Sequence, residues 1–241
     1  MFDQRPSRRF TKSVCCIFAG LLCSVTLQAR ADQAATNARV TASTQVFREL
    51  VNASSGIPRG LLNQAACVII LPSVKKAGFI VGGQYGKGLM SCRSGPGYMG
   101  KWHTPIMMQS SGGSFGLQAG GQATDFVVLV MNDAGAAAVI KGNAKLGADA
   151  TIAAGPVGRD AEASTTGTLN AQMLSYSRTK GVFAGVSLAG TSLGPDSGAN
   201  EDLYGKKISG QEIFSSNPPT PASAKPLLSE LTRTSPKRIK K

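Results

Sequence analysis

Histidine is almost missing from this sequence, and acidic residues are outnumbered two to one. One His is present, and 13 Asp and Glu stand against 26 Lys and Arg, a formal charge of +13. With His103 alone, in Lys101-Trp102-His103-Thr104-Pro105, no clustered zinc spacing can be assembled. A catalytic base also needs an orienting partner, and none stands beside it in the chain. A packing or surface role is therefore preferred for His103. A membrane-length apolar run is missing from the N-terminus as well. Val14–Leu27 has fourteen residues, short of the ~20 that usually span a bilayer. It follows Arg5, Arg8, Arg9 and Lys12 and precedes Ala29-Arg30-Ala31, so it reads as a secretory signal cleaved near Ala31. Neither Cys16 nor Cys23 has the small preceding residue of a lipoprotein signal.

Nucleotide motifs are absent, although Gly82–Ser91, GGQYGKGLMS, imitates one. A Walker loop needs four residues between its first glycine and Gly-Lys, then a hydroxyl. Here three residues separate Gly82 from Gly86-Lys87, and Gly88 stands where the hydroxyl belongs. No helical pattern follows to bring a positive helix end to a phosphate. Hydrolase and calcium patterns fail likewise. Ser175 and Ser177 lack a G-x-S-x-G setting. Asp196–Asp202 lacks the terminal glutamate of an EF-hand loop. Asp160 and Glu162 sit beside a Gly-Pro turn without forming an identifiable acid–base pair. The expectation is a protein without enzymatic activity, metal or cofactor.

What is present is basic charge and glycine. Residues 1–31 carry a net +4, residues 32–214 +4 and residues 215–241 +5, so most of the basicity is in the ends. A nucleic-acid-binding domain would carry its basic footprint on the folded part, and nucleic acid is not expected as a partner. Cys67 and Cys92 remain after signal removal, an even pair in an oxidising compartment. A disulfide and two buried thiols stand as equal alternatives for them.

Along the chain, Val40, Thr44, Phe47, Leu50 and Val51 recur at helical spacing, with Arg39, Arg48, Glu49 and Asn52 opposite. Ile57-Pro58 opens a short second helical turn. Short apolar runs such as CVIIL, GFIVGG, GLMSC, PIMMQ and DFVVLVM then alternate with glycine or polar clusters, which is strand punctuation. The run Phe126–Met131 suits a strand covered on both faces. Asp133 is placed as the cap of a helix ending at Gly142, Asn200 before the helix EDLYGK, and Ser209–Glu212 as a capping box. Internal strand glycines cost ~0.5–1 kcal/mol each relative to alanine, so their number implies sharp curvature, bulges or close backbone approach. The fold class expected is α+β, a strongly twisted Gly-rich antiparallel sheet or partly closed barrel with helices packed against it.

The segments KKAGFIVGGQYGKGLMSCR, GYMGKWHTPIMMQSSGGSFGLQAGGQATDFVVLVMN, LGADATIAAGPVGRDAEA and LSYSRTKGVFAGVSLAGTSL, with a later NEDLYG, resemble the SYLF domain family in content and order. The family includes eukaryotic lipid-binding and actin-binding adaptors and exported bacterial proteins. The resemblance implies a β-rich phospholipid-binding domain with helices. The organisation expected is a signal peptide (1–31), an amphipathic N-terminal helix (32–56), a SYLF-like domain (57–214) and a Pro/Ser-rich mobile linker with a basic tail (215–241). Because an exported protein does not meet its own cell's actin, actin binding is not expected, and an anionic phospholipid surface is the expected partner. Lys75, Lys76, Lys87, Arg93 and Lys101 flank one strand set, and Arg178 and Lys180 lie at a hairpin turn. These seven are the candidate lipid-binding residues, since Lys and Arg hold phosphate by charge-assisted hydrogen bonds. Each also reads more plainly as a charge keeping a sheet edge soluble. The alternative function is a structural or adhesive envelope protein that binds another protein through its sheet.

Overall fold

The computed structural model describes residues 11–54, 56–78, 81–115, 122–142, 144–148, 151–156, 171–179, 182–185, 188 and 190–239. Helix α1 (Thr11–Asn52) and short α2 (Arg59–Gln64) lead into β1 (Cys67–Gly78), β2 (Val81–Cys92), β3 (Ile106–Phe115) and β4 (Gln122–Val130). Then come α3 (Asp133–Lys141), β5 (Ala144–Lys145), β6 (Ile152–Ala154), β7 (Met173–Thr179), β8 (Val182–Gly185) and β9 (Thr191–Pro195). Helices α4 (Ser197–Tyr204), α5 (Gly210–Ser216) and α6 (Lys225–Thr234) close the described chain. The nine strands form one strongly curled sheet in the order β5-β9-β3-β2-β1-β4-β7-β6, with β8 also on β7. Every pairing is antiparallel except β6 with β7. The fold is thus the α+β, curled and glycine-rich sheet that the sequence implies.

Both faces of the central strands are buried, because successive residues of a strand point to opposite sides. Val68, Ile70, Val127 and Leu129 join Val40, Phe47 and Leu50 of α1 in one core. Ile69, Leu71, Phe126 and Val128 face Ala136, Val139 and Ile140 of α3 and Ile213 of α5 in another. The apolar stripe read along α1 is the buried one, and Arg48 and Asn52 are exposed opposite it. Among the described residues no helix is long and apolar enough to cross a membrane. Cys67 and Cys92 stand opposite each other in the β1–β2 register and are joined in a disulfide.

Gly82–Gly88 lies wholly within β2 and pairs with β1 and β3, so its glycines serve the sheet and not a helix entrance. The β1 register slips between Ile70 and Lys75, and Ser73 takes a φ of 50° in that bulge. There the Ile70 carbonyl closes over Gly88, where a Cβ would overlap it, and a Cβ at Gly86 would come within 2.6 Å of Val74 Cγ2. Close backbone approach excludes a side chain at Gly88, while the packed side chains of Val74 and Ser110 exclude one at Gly86.

Three local expectations shift. Asn132, not Asp133, caps α3, its side chain accepting from Gly135 N at 2.8 Å, while Asp133 sits in the first turn. Asp196 caps α4, and Asn200 is buried inside it, where Oδ1 accepts from Met107 N at 2.8 Å. The Ser209–Glu212 capping box is present. The largest change is at the C-terminus, since packing does not end at Phe214. Ala224, Leu227 and Leu231 are fully buried in the α1 core, and Arg238 is buried as well. Leu227 and Leu231 lie one helical turn apart, a stripe too short to stand out beside the prolines before it. Lys240 and Lys241 lie outside the described residues.

Candidate functional site

The β1 bulge thrusts Pro72 and Ser73 out of the sheet, and Ser73 N donates to Asp125 Oδ1 at 2.8 Å, which fixes the excursion. Across from it runs α1. Between them opens a cleft of about 400 Å³. Arg39 enters it from α1, Lys75 from β1, and Tyr85 and Lys87 from β2, over a floor that includes Ala38, Ala42 and Gly86. Among the described residues the lining holds three cations and no acid. Tyr85 is among the large apolar side chains most exposed in the described protein. Lys87 is drawn to Asp196, its Nζ 2.7 Å from Oδ2. That contact with the carboxylate holds the ammonium above the ordinary lysine value, against desolvation and the repulsion of Arg39. Because like charges within one small cleft repel, the site is arranged to receive an anion.

Of the expected binding residues, two reach this cleft. Lys75 and Lys87 line it. Lys76 points to the opposite face, as strand alternation requires, with Nζ 5.5 Å from the Phe126 ring centroid. Lys101 is exposed in the turn between β2 and β3 and does not line the cleft. Lys180 lies outside the described residues. Arg178 is spent inside the protein: its guanidinium pairs with Asp125 at 2.6 Å and with Glu49, tying β7 to β4 and α1.

Arg93 is corrected most sharply. It is fully buried, stacked on Trp102 with its guanidinium carbon 4.1 Å from the ring centroid. Its Nη2 donates to Ser235 O at 2.7 Å and Ser235 Oγ at 2.6 Å. Burial, with the charge of Arg238 beside it, pushes its pKa down to about 10. It is a bracket for the C-terminal segment and cannot meet a ligand. Arg238 answers from the other side, its guanidinium bonding the carbonyls of Gln64, Gly97 and Met131 and the carboxylate of Asp133. The expected basic tail is therefore partly consumed in packing.

Two cleft residues escaped the sequence reading as ligand groups. Arg39 was visible as a cation on the polar side of α1, but nothing marked it as facing β1. Tyr85 carried no signal, being one aromatic among glycines. The other chemical candidates are structural. His103 packs on the Phe214 ring at 5.4 Å between centroids, and burial lowers its pKa so that it stays neutral at pH 7. Ser175 and Ser177 are buried in β7. Asp160 and Glu162 lie outside the described residues. Among the described residues no cluster of His, Cys, Asp and Glu could hold a metal.

Comparison with known proteins finds relatives of this chain. Residues 111–234 match the family described as Ysc84, Las17-binding protein actin regulator. The SH3 domain-containing protein PJ696.02 of Schizosaccharomyces pombe is 38% identical over 183 residues, 75% of this chain and 42% of the relative. The SH3 domain-containing YSC84-like protein 1 of Homo sapiens is 34% identical over 172 residues, 71% of this chain and 49% of its own. LAS seventeen-binding protein 3 of Saccharomyces cerevisiae is 32% identical over 193 residues, 79% and 41% respectively. The chain thus matches less than half the length of each of these relatives. These names overturn the exclusion of actin-linked partners, because the family is described as an actin regulator. An argument from export alone was too weak to set that class aside.

Proposed function

The chain belongs to the Ysc84/SYLF family, and from that premise we propose that it is a non-enzymatic binding module whose cationic cleft takes the phosphate of an anionic phospholipid. The convergence of Arg39, Lys75 and Lys87 beside Tyr85 carries this reading. Each Lys or Arg near an anionic bilayer contributes about 1 kcal/mol, so the three give weak, salt-sensitive attachment. Tyr85 adds an apolar face with a polar tip, suited to a membrane–water interface. In vesicle flotation, the Arg39→Ala/Lys75→Ala variant should lose about 25-fold in affinity for anionic vesicles, while Lys76→Ala changes it by less than about twofold. Equal loss in both, or binding to neutral vesicles that salt does not weaken, would remove the cleft from the account.

A second reading is a protein partner, favoured by the relatives' names, which carry Las17 binding and actin regulation. Filamentous actin in a parallel sedimentation arm separates the two. Co-sedimentation with actin and no flotation would favour the protein partner.

Export belongs to the same proposal. The basic stretch, apolar run and Ala29-Arg30-Ala31 support a cleaved signal, and the Cys67–Cys92 disulfide is in keeping with an oxidising compartment. The extracytoplasmic fraction should yield a protein whose intact mass begins at Asp32 and whose two cysteines resist alkylation. A cytosolic, unprocessed chain would refute export.

A further inference from the structure

We propose that Asp196 is a built-in counter-anion of the cleft, which holds Lys87 and sets how much negative charge a ligand must bring; this rests on the anion-binding reading above. Asp196 is fixed from several sides. Its N donates to Met107 O at 2.9 Å, and its carbonyl accepts from Asn200 N at 2.9 Å. Oδ1 accepts from Ala199 N at 3.2 Å as the cap of α4. That leaves Oδ2 for Lys87 Nζ at 2.7 Å. Asp196 is 7% exposed, so water screens the pair from the Lys87 side only. Lys87 lines the cleft and Asp196 does not, so the carboxylate stands behind the ammonium that a ligand would use.

An entering anion must therefore share Lys87 with a carboxylate or displace it. Sharing places two negative groups around one ammonium in a half-buried site, where repulsion is felt more strongly than in water. A monoanion, such as a phosphodiester, merely replaces one charge pair by another. A phosphomonoester carries closer to two charges at neutral pH and can hold Arg39 and Lys75 while meeting the competition for Lys87. Asp196 thus tilts the cleft toward the terminal phosphate of a monoester, whether on a lipid headgroup or on a free molecule.

The substitution Asp196→Asn isolates this role, because Asn caps a helix as well as Asp does and has the same shape. Glu201→Gln, on the exposed side of the same helix, raises the net charge equally and controls for general electrostatics. The processed protein is assayed with phosphatidylglycerol vesicles, phosphatidic acid vesicles and, by calorimetry, inorganic phosphate alone. Asp196→Asn should bind phosphatidylglycerol vesicles about fivefold more tightly, the worth of one released cation, with a smaller gain on phosphatidic acid. Glu201→Gln should match the parent, and adding Lys87→Ala to Asp196→Asn should cancel the gain. A larger gain on phosphatidylglycerol than on phosphatidic acid upholds the inference for a lipid, a gain with free phosphate alone upholds it for a soluble ligand, and a gain on phosphatidic acid as large as that on phosphatidylglycerol overturns it. Parent binding that Asp196→Asn leaves unchanged, or raises no more than Glu201→Gln does, overturns this inference alone. Absence of binding by the parent and by every variant overturns the cleft reading together with it.

Discussion

A Gly88→Ala variant is expected to melt about 6–12 °C below the parent, while Gly83→Ala melts within about 2 °C of it. The two glycines share a strand, and neither has a positive φ. Backbone conformation therefore does not separate them; space does. A Cβ on Gly83 would have nothing within 4 Å, whereas one on Gly88 would overlap the Ile70 carbonyl and approach the Leu71 Cα to 2.9 Å. Those are backbone atoms fixed in the central β1–β4 pairing, so they cannot turn aside as a side chain could. Relief requires opening the bulge, at ~3 kcal/mol for an overpacked core position. At Gly83 the lower entropy of alanine in the unfolded chain even favours the variant slightly. Thermal unfolding followed by circular dichroism checks both. Equal melting temperatures would mean that the β2 glycines are not there for close approach.

The bulge also marks where sequence reading stops. Glycine in β2 announced curvature or close contact, but nothing in Pro72-Ser73-Val74 announced that β1 would slip register opposite it. Local periodicities were legible: the buried face of α1, the double-sided run in β4 and the Ser209–Glu212 cap each depend on neighbours within a few residues. The candidate cations were legible only as cations. Arg178 meets Asp125 and Glu49, and Arg93 meets Trp102 and Ser235, partners that tertiary folding alone brings together. A basic residue at a strand end looks the same in sequence whether it points to solvent or into a pocket of carbonyls. The cleft shows the same limit, since Arg39 and Lys75 are 36 positions apart and are brought together by α1 crossing the bulge.

Deleting residues 215–241 should abolish the cooperative transition or lower the melting temperature by at least ~15 °C. The segment reads as a linker and tail, yet Leu227 and Leu231 are fully buried with Phe47 and Leu50, each contributing ~1.5–3 kcal/mol. Its loss also strips Arg93 of both acceptors on Ser235 and frees the Trp102 Nε1 hydrogen bond to Ser235 O, now 3.0 Å. A buried guanidinium left with only the Ala65 carbonyl, 3.4 Å from its Nε, costs a further ~1–3 kcal/mol. Together these approach the ~5–15 kcal/mol by which whole domains are stable. Leu231→Ala provides the graded version, with an expected loss of ~2–5 kcal/mol by denaturant unfolding at unchanged slope. The truncation bears on function as well, because α6 and α1 share a core, and α1 carries Arg39 into the cleft. A truncated protein that melts cooperatively at the parent temperature would show that the segment is only draped on the surface. The domain would then end at Phe214, and α1 would keep its place by the sheet alone.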